Sequence, residues 1–153
     1  MPTTGALAHI DISAGHPERS IPFYAALLGA LGYRRVSVAM PEWSGANPTR
    51  ATWSFQLPGG ASFEIEVRPA RRESRDRSYD RYEPGPHHIA FHAESRAVVQ
   101  GVHGAMLAIG ATILDPPVDY SGRPGYEDGY YAAFFADPDG VRLEVAHIPD
   151  ANP

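Results

Sequence analysis

Cysteine is absent from this chain of 153 residues. That excludes disulfides, thiolate metal sites and cysteine nucleophiles together. Also missing is any apolar run near the roughly 20 residues that a membrane-spanning helix requires. The opening stretch, "MPTTGALAHI", holds no basic segment followed by a long apolar one, so no secretory signal is expected and a cytoplasmic protein is. Positive charge is not in excess: 13 Lys and Arg face 18 Asp and Glu, a formal net charge of -5. Nucleic acid and anionic membrane are therefore poor partners. What remains, 43% apolar and 20% charged, is the composition of a globular domain.

The chain is written twice. Two amphipathic segments, "HPERSIPFYAALLGALG" and "SRAVVQGVHGAMLAIG", repeat apolar residues at spacings of three and four. Ile21, Tyr24, Leu28 and Leu31 form one apolar side, and Val98, Val102, Met106 and Ile109 the other. Pro17 suits a first helical turn and Ser95 an N-cap, while Gly32 and Gly110 suit C-terminal stops. Each helix follows a short strand and precedes three more. The first half reads "AHIDIS", helix, "YRRVSVA", "ATWSFQL", "ASFEIEV"; the second reads "HHIAFHA", helix, "ATIL", "GYYAAFF", "VRLEVAH". The turns "LPGG" and "DPDG" align Pro58 with Pro138 and Gly60 with Gly140. The pattern is βαβββ twice, an α+β domain over 1–153 with modules at 5–68 and 86–148. The Arg-rich stretch at 69–85 reads as a solvated linker.

The repeat superimposes chemistry. His9 opens the first strand of one half and His88 that of the other, 79 residues on; Glu64 and Glu144 each follow the turn glycine by four and lie 80 apart. Strand alternation puts Ile10, Ile12, Phe63, Ile65, Leu143 and Val145 toward the helices, with the two His and two Glu on the opposite face. That face is not simply wet, because "GYYAAFF" is apolar on both of its alternating sets. Hairpin pairing places Phe134 opposite Glu144 and Ser54 opposite Glu64. A carboxylate beside a phenyl ring needs compensation, and a divalent metal would supply it. His9, Glu64, His88 and Glu144 suit zinc, nickel, iron, cobalt or manganese. Ser54 and Gln56, with Phe134, Tyr126 and Trp43, are expected to line the substrate. Of the other histidines, His16 is expected to start the first helix, His103 to face solvent, His87 to face the helix side, and His92 and His147 to be ordinary strand residues.

Three stretches, "HIDIS...ERSIPFYAALLGALGY", "PGPHHIAFHAES" and "YYAAFFADPDGVRLEVAH", make the chain resemble the vicinal oxygen chelate superfamily, the group of glyoxalase I, bleomycin-resistance proteins and extradiol dioxygenases. The resemblance implies two βαβββ modules paired into an eight-stranded cup around one metal. In bacterial glyoxalase I the ligands are His, Glu, His and Glu, which fall by position on His9, Glu64, His88 and Glu144. It implies a metal-dependent lyase or isomerase in which Glu64 or Glu144 moves a proton on a small substrate with adjacent oxygens. A sequestering protein of the bleomycin-resistance type is the alternative, and an extradiol dioxygenase a third. Members often form homodimers. Glutathione-dependent lyases of the group carry an Arg four residues after the first ligand, where this chain has Ser13.

Overall fold

The computed structural model describes residues 5–36, 50–57 and 59–149. Trp43 and Pro58, singled out above, lie outside the described residues. The chain divides into two compact units, Met1–Arg77 and Ser78–Pro153. Among the described residues, no helix is long and apolar enough to cross a membrane.

The first unit holds β1 (His9–Ala14), α1 (Pro17–Ala30), β2 (Arg34–Val36), β3 (Ala51–Gln56) and β4 (Ser62–Pro69), in the sheet order β1-β4-β3-β2. The second holds β5 (Ile89–His92), α2 (Arg96–Ala108), β6 (Thr112–Asp119), β7 (Tyr131–Ala136) and β8 (Arg142–His147), ordered β5-β8-β7-β6. In each sheet the first strand pairs parallel to the last, and the other neighbours pair antiparallel. The helix supplies the crossover that a parallel pair demands.

Both helices begin and end as their end residues dictate. Pro17 stands in the first turn of α1 behind His16 at the cap, and Ser95 caps α2 by accepting from the Val98 N–H at 3.3 Å. Each helix closes with the same pair of bonds. Tyr33 N–H reaches the Leu28 carbonyl and Gly32 that of Gly29; Ala111 reaches Met106 and Gly110 reaches Leu107. Gly32 (φ 86) and Gly110 (φ 69) take the left-handed turn this motif needs. Ser95→Ala is expected to cost about 1 kcal/mol, read as a lower denaturant midpoint with an unchanged slope.

The helix faces are turned slightly from the expected ones. In α1 the buried residues include Phe23, Tyr24, Leu27 and Leu28, with Ile21 and Leu31 only half-buried; in α2 they are Val99, Val102 and Met106, while Ile109 is exposed. A stripe at spacings of three and four is wide enough for the packed sheet to select its centre. Beneath α1 lie Trp53, Ile65 and Val67, and the α2 side of its sheet holds Phe135, Leu143 and Val145, all buried. His103 is half-buried rather than solvent-facing, its ring 6.5 Å from that of Phe135.

β6 runs beyond the expected "ATIL", through Pro116 and Pro117 to Asp119. It is an edge strand with register shifts after Ile113 and Asp115, and an edge tolerates prolines that donate no ladder bond. The stretch expected to be a linker is not wholly solvated. It contains a 3₁₀ turn at Arg72–Ser74, and the Tyr79 N–H bonds to the Asp139 carbonyl in the "DPDG" turn at 3.1 Å. That turn is tied down by buried Asp137, whose Oδ1 accepts from the N–H groups of Asp139 (2.9 Å) and Val141 (2.8 Å). Asp137→Ala leaves those donors without their acceptor and is expected to cost roughly 1–3 kcal/mol, checked by chemical unfolding.

Candidate metal centre

Strand register places the candidate donors. In the first unit His9 stands directly across the parallel ladder from Glu64, and Ser54 stands across from Glu64 on the other side. His9 is exposed and Glu64 half-buried. Gln56 is exposed, two residues farther along the same face of β3 as Ser54. The next carboxylate on this face, Glu66, is fully compensated. Arg50 donates to it through Nε at 3.0 Å and through Nη2, Thr52 donates at 3.2 Å, and Arg68 lies 3.7 Å away. Arg68 in turn holds Asp11 at 2.9 Å. Among the described residues, no side-chain hydrogen bond or ion pair reaches Glu64. The face therefore neutralises one glutamate with arginine and leaves the other facing a histidine.

In the second unit Phe134 lies across from Glu144, the pairing the "DPDG" hairpin dictates. Glu144 is 4% exposed, one of few buried charged side chains. His88 Nε2 lies 3.2 Å from its Oε2, and the Tyr130 hydroxyl donates a short hydrogen bond to its Oε1. The match with the first unit is not position for position. The ladder begins at Ile89 and sets Ala90, not His88, across from Glu144. His88 stands two residues before Ala90, ahead of the ladder, and its side chain spans the offset to Glu144.

Around Glu144 the face is apolar and aromatic. Tyr120, Ala132, Phe134 and Ala146 form a buried cluster against which Val118, Tyr130 and Ile148 pack. Tyr126 stacks on Tyr120 with centroids 4.8 Å apart and meets Tyr130 edge-on at 5.0 Å; Tyr120 meets Phe134 edge-on at 5.9 Å. Arg142 lies over the Phe134 ring, 4.1 Å from its centroid, and pairs with Asp115 at 3.3 Å. Burial, then the hydrogen bond to Glu144, pushes the Tyr130 phenol well above its ordinary value, so it stays protonated and serves as donor. Tyr120 is likewise raised, chiefly by burial. Sequence reasoning missed Tyr120 and Arg142. Tyr120 lies in a stretch read as loop, and Arg142 joins the site only through pairing that sets it beside Phe134.

The loop carrying Tyr126 is pinned at its root. Ser121 gives Asp119 both its hydroxyl and its N–H (2.9 Å), and the Gly129 N–H donates to the Ser121 hydroxyl at 2.7 Å. The Ser121 bonds, hydroxyl first, and then Arg96 at 2.6 Å hold the Asp119 carboxyl down to about 2. A depressed carboxylate contributes stability above its unfolded value, about 3.9, and that contribution is lost as pH falls toward 2. Ser121→Ala is expected to raise the Asp119 midpoint, followed by carbon NMR through an acid titration.

His87 is exposed, not helix-covered. Its Nδ1 lies 2.8 Å from that of His88 and its ring meets Tyr82 edge-on at 5.6 Å, because the ladder has not yet begun at this residue and strand phase does not govern it. Partial desolvation, followed by Arg81, His88 and Arg142, lowers its basicity. His92 is exposed, and half-buried His147 sets Nδ1 3.1 Å from the Ala93 carbonyl.

The His88–Glu144 pair has the spacing of two ligands on one metal. At bond lengths of about 2.1 Å, two ligands at octahedral to tetrahedral angles stand about 3.0–3.4 Å apart, and the His88–Glu144 contact of 3.2 Å lies in that range. Among the described residues, no group of three or more His, Asp or Glu is gathered as a metal-holding cluster.

The model of the Glyoxalase/Bleomycin resistance protein/Dioxygenase superfamily matches residues 6–145. The chain belongs to this superfamily. Among curated relatives, the uncharacterized protein YqjT of Bacillus subtilis (strain 168) is 28% identical over 139 residues, covering 90% of this chain and 94% of YqjT. Among solved structures, a protein of Bacillus halodurans provisionally named a glyoxalase has a TM-score of 0.70 at 25% identity, covering 95% of this chain and 98% of its own. A glyoxalase/dioxygenase from Nostoc punctiforme, at 18% identity, has a TM-score of 0.66 over 98% and 96% of the two chains, a likeness of fold. The α+β superfamily fold with a βαβββ module in each half is thereby established, and so is membership as the resemblance implied.

Proposed function

We propose that this superfamily member is a metal-dependent lyase or isomerase of the glyoxalase type, moving a proton on a small substrate with two adjacent oxygens. His9, Glu64, His88 and Glu144 are the proposed ligands of a divalent transition metal. The reading rests above all on His88 and Glu144. A buried carboxylate with an imidazole 3.2 Å from one oxygen and a phenol on the other is a preorganised donor pair in an apolar wall. A bound metal supplies Lewis acidity, polarising the substrate's oxygens and making the neighbouring C–H acidic. The protein's own part is to take that proton from one carbon and return it to the next through a glutamate within ~3 Å. Phe134, Tyr126 and Tyr120 exclude water and offer flat faces to the substrate, and Ser54 and Gln56 offer polar contacts. Ser13 stands where glutathione-dependent members keep an arginine, which favours substrates without a glutathione carboxylate.

The test is elemental analysis of the purified protein, followed by solvent-deuterium incorporation into hydroxycarbonyl compounds and the hemithioacetal of methylglyoxal. A tightly held transition metal and metal-dependent exchange support the proposal; a wild-type protein that retains no metal defeats it. The four-ring cluster of Tyr120, Tyr126, Tyr130 and Phe134 favours a second reading, sequestration of a flat ligand. Ligand binding without metal and without turnover would select it. A cytoplasmic homodimer completes the proposal, and sedimentation gives the oligomeric state.

A further inference from the structure

Within the unit Ser78–Pro153, an open cleft of about 540 Å³ lies between residues 78–82 and the ends of β6, β7 and β8. Tyr79, Arg81, Tyr82, Leu114, Ala136 and Arg142 line most of it, and its size falls in the roughly 300–1,000 Å³ range of small-molecule pockets. The wall made by the segment is held in place. The Tyr79 N–H donates to the Asp139 carbonyl at 3.1 Å, and the Tyr82 N–H to Asp80 Oδ1 at 2.9 Å. Arg81 is half-buried, lies over the Tyr82 ring at 4.7 Å and donates to that phenol at 2.6 Å. Among the described residues, no carboxylate pairs with it. Arg142 gives Nη2 to Asp115 at 3.3 Å and lies over the Phe134 ring. A guanidinium carries five N–H donors in a fork, so both arginines keep donors for a further acceptor. Asp80, the acidic residue of the lining, already accepts the Tyr82 N–H. The positive field of the pair reaches His87, whose basicity falls first through partial desolvation and then through Arg81, His88 and Arg142.

We propose that this cleft binds the carboxylate of a small aromatic acid, with Arg81 and Arg142 on the anion and Tyr79, Tyr82 and Leu114 against its ring. Two guanidiniums line the cleft, and Asp115 meets only one corner of one of them. The site is therefore positive, and planar forked donors match a carboxylate in shape as well as charge. Tyr82 and Leu114 are 76% and 41% exposed, so a flat ring laid on them removes apolar surface from water. Arg142 and Glu144 are alternate residues of β8, about 7 Å apart along the strand, and they pair with Ala136 and Phe134 of β7. The anion subsite thus adjoins the His88–Glu144 pair. It requires neither a metal nor a proton transfer, and it stands or falls separately from the reading above.

The experiment titrates the full nitrogen-15-labelled chain with benzoate, its neutral isostere benzamide, and acetate, following the amide shifts by NMR. Benzoate is expected to bind with shifts centred on Tyr79, Leu114 and Gly140. Benzamide is expected to bind roughly 10–100-fold more weakly, as loss of a hydrogen bond to a charged group implies, and acetate more weakly than benzoate for want of a ring. Arg81→Gln and Arg142→Gln are each expected to weaken benzoate by about tenfold or more while leaving benzamide affinity unchanged. Failure of wild type to bind benzoate overturns the proposal. So does equal affinity for benzoate and either benzamide or acetate, or benzoate binding unaltered in Arg81→Gln. Shifts centred instead on Tyr120 and Tyr126 would put the ligand on the ring cluster and also overturn it. The amide spectrum of each variant reports its fold. Should Arg142→Gln lose the native spectrum, Arg81→Gln decides, because Arg81 lies outside every helix and strand.

Discussion

Glu144→Ala is expected to remove metal binding and turnover together while leaving the protein folded. Glu144 is the most deeply buried of the four proposed donors, and the Tyr130 hydroxyl and His88 Nε2 both converge on it. Without the carboxylate the second pair has no anionic ligand. The loss should exceed the roughly 10–100-fold reduction that follows from disturbing only an outer partner. Stability should move less than function. Glu144→Gln keeps the shape and an oxygen to accept from the Tyr130 hydroxyl, so its metal-free melting is expected to stay near that of wild type. Elemental analysis, deuterium exchange and metal-free melting read all three quantities from one preparation. Loss of metal together with collapse of the fold would mark Glu144 as structural instead.

Phe135→Ala is expected to have the opposite profile. Phe135 is fully buried, paired with Leu143 across β8 and close to His103 of α2, so its removal leaves a cavity between sheet and helix. Buried Phe→Ala changes cost about 3–5 kcal/mol, a large share of the roughly 5–15 kcal/mol that holds a domain together. Equilibrium denaturation should show that loss, with any loss of activity following the unfolded fraction. Its neighbour Phe134 points to the other face, against Tyr120 and under Arg142. Phe134→Ala is expected to cost less stability and more function, because it opens the wall beside Glu144. Adjacent residues of the same type should therefore separate stability from activity. Equal effects on both would contradict the face assignment.

Particular elements show where sequence reading succeeds. Strand phase alone sorted Ile65 and Val67 from Glu64 and Glu66, and the hairpin turns alone paired Phe134 with Glu144 and Ser54 with Glu64. These are short-range consequences of a period of two and a tight turn, so no distant contact can alter them. The caps at Ser95, Gly32 and Gly110 are equally local. The misses are of another kind. Ile109 belongs to the apolar stripe of α2 yet is exposed, because which part of a wide stripe meets the sheet depends on the sheet's own side chains. β6 continues through two prolines because it lies at an edge, and edge position follows from strand order.

By itself, then, the sequence determined the βαβββ repeat, the faces of its strands and the His and Glu placed on them, since each follows from spacing within a few residues. Only the tertiary structure decided that Glu66 is neutralised by arginines while Glu64, among the described residues, is not, that His88 reaches Glu144 from ahead of the ladder, and that Tyr130 closes on the same carboxylate. His88 and Glu144 lie far apart in the chain, and the other contacts, though within a strand or between neighbouring strands, depend on where packing directs side chains that share a face rather than on sequence spacing.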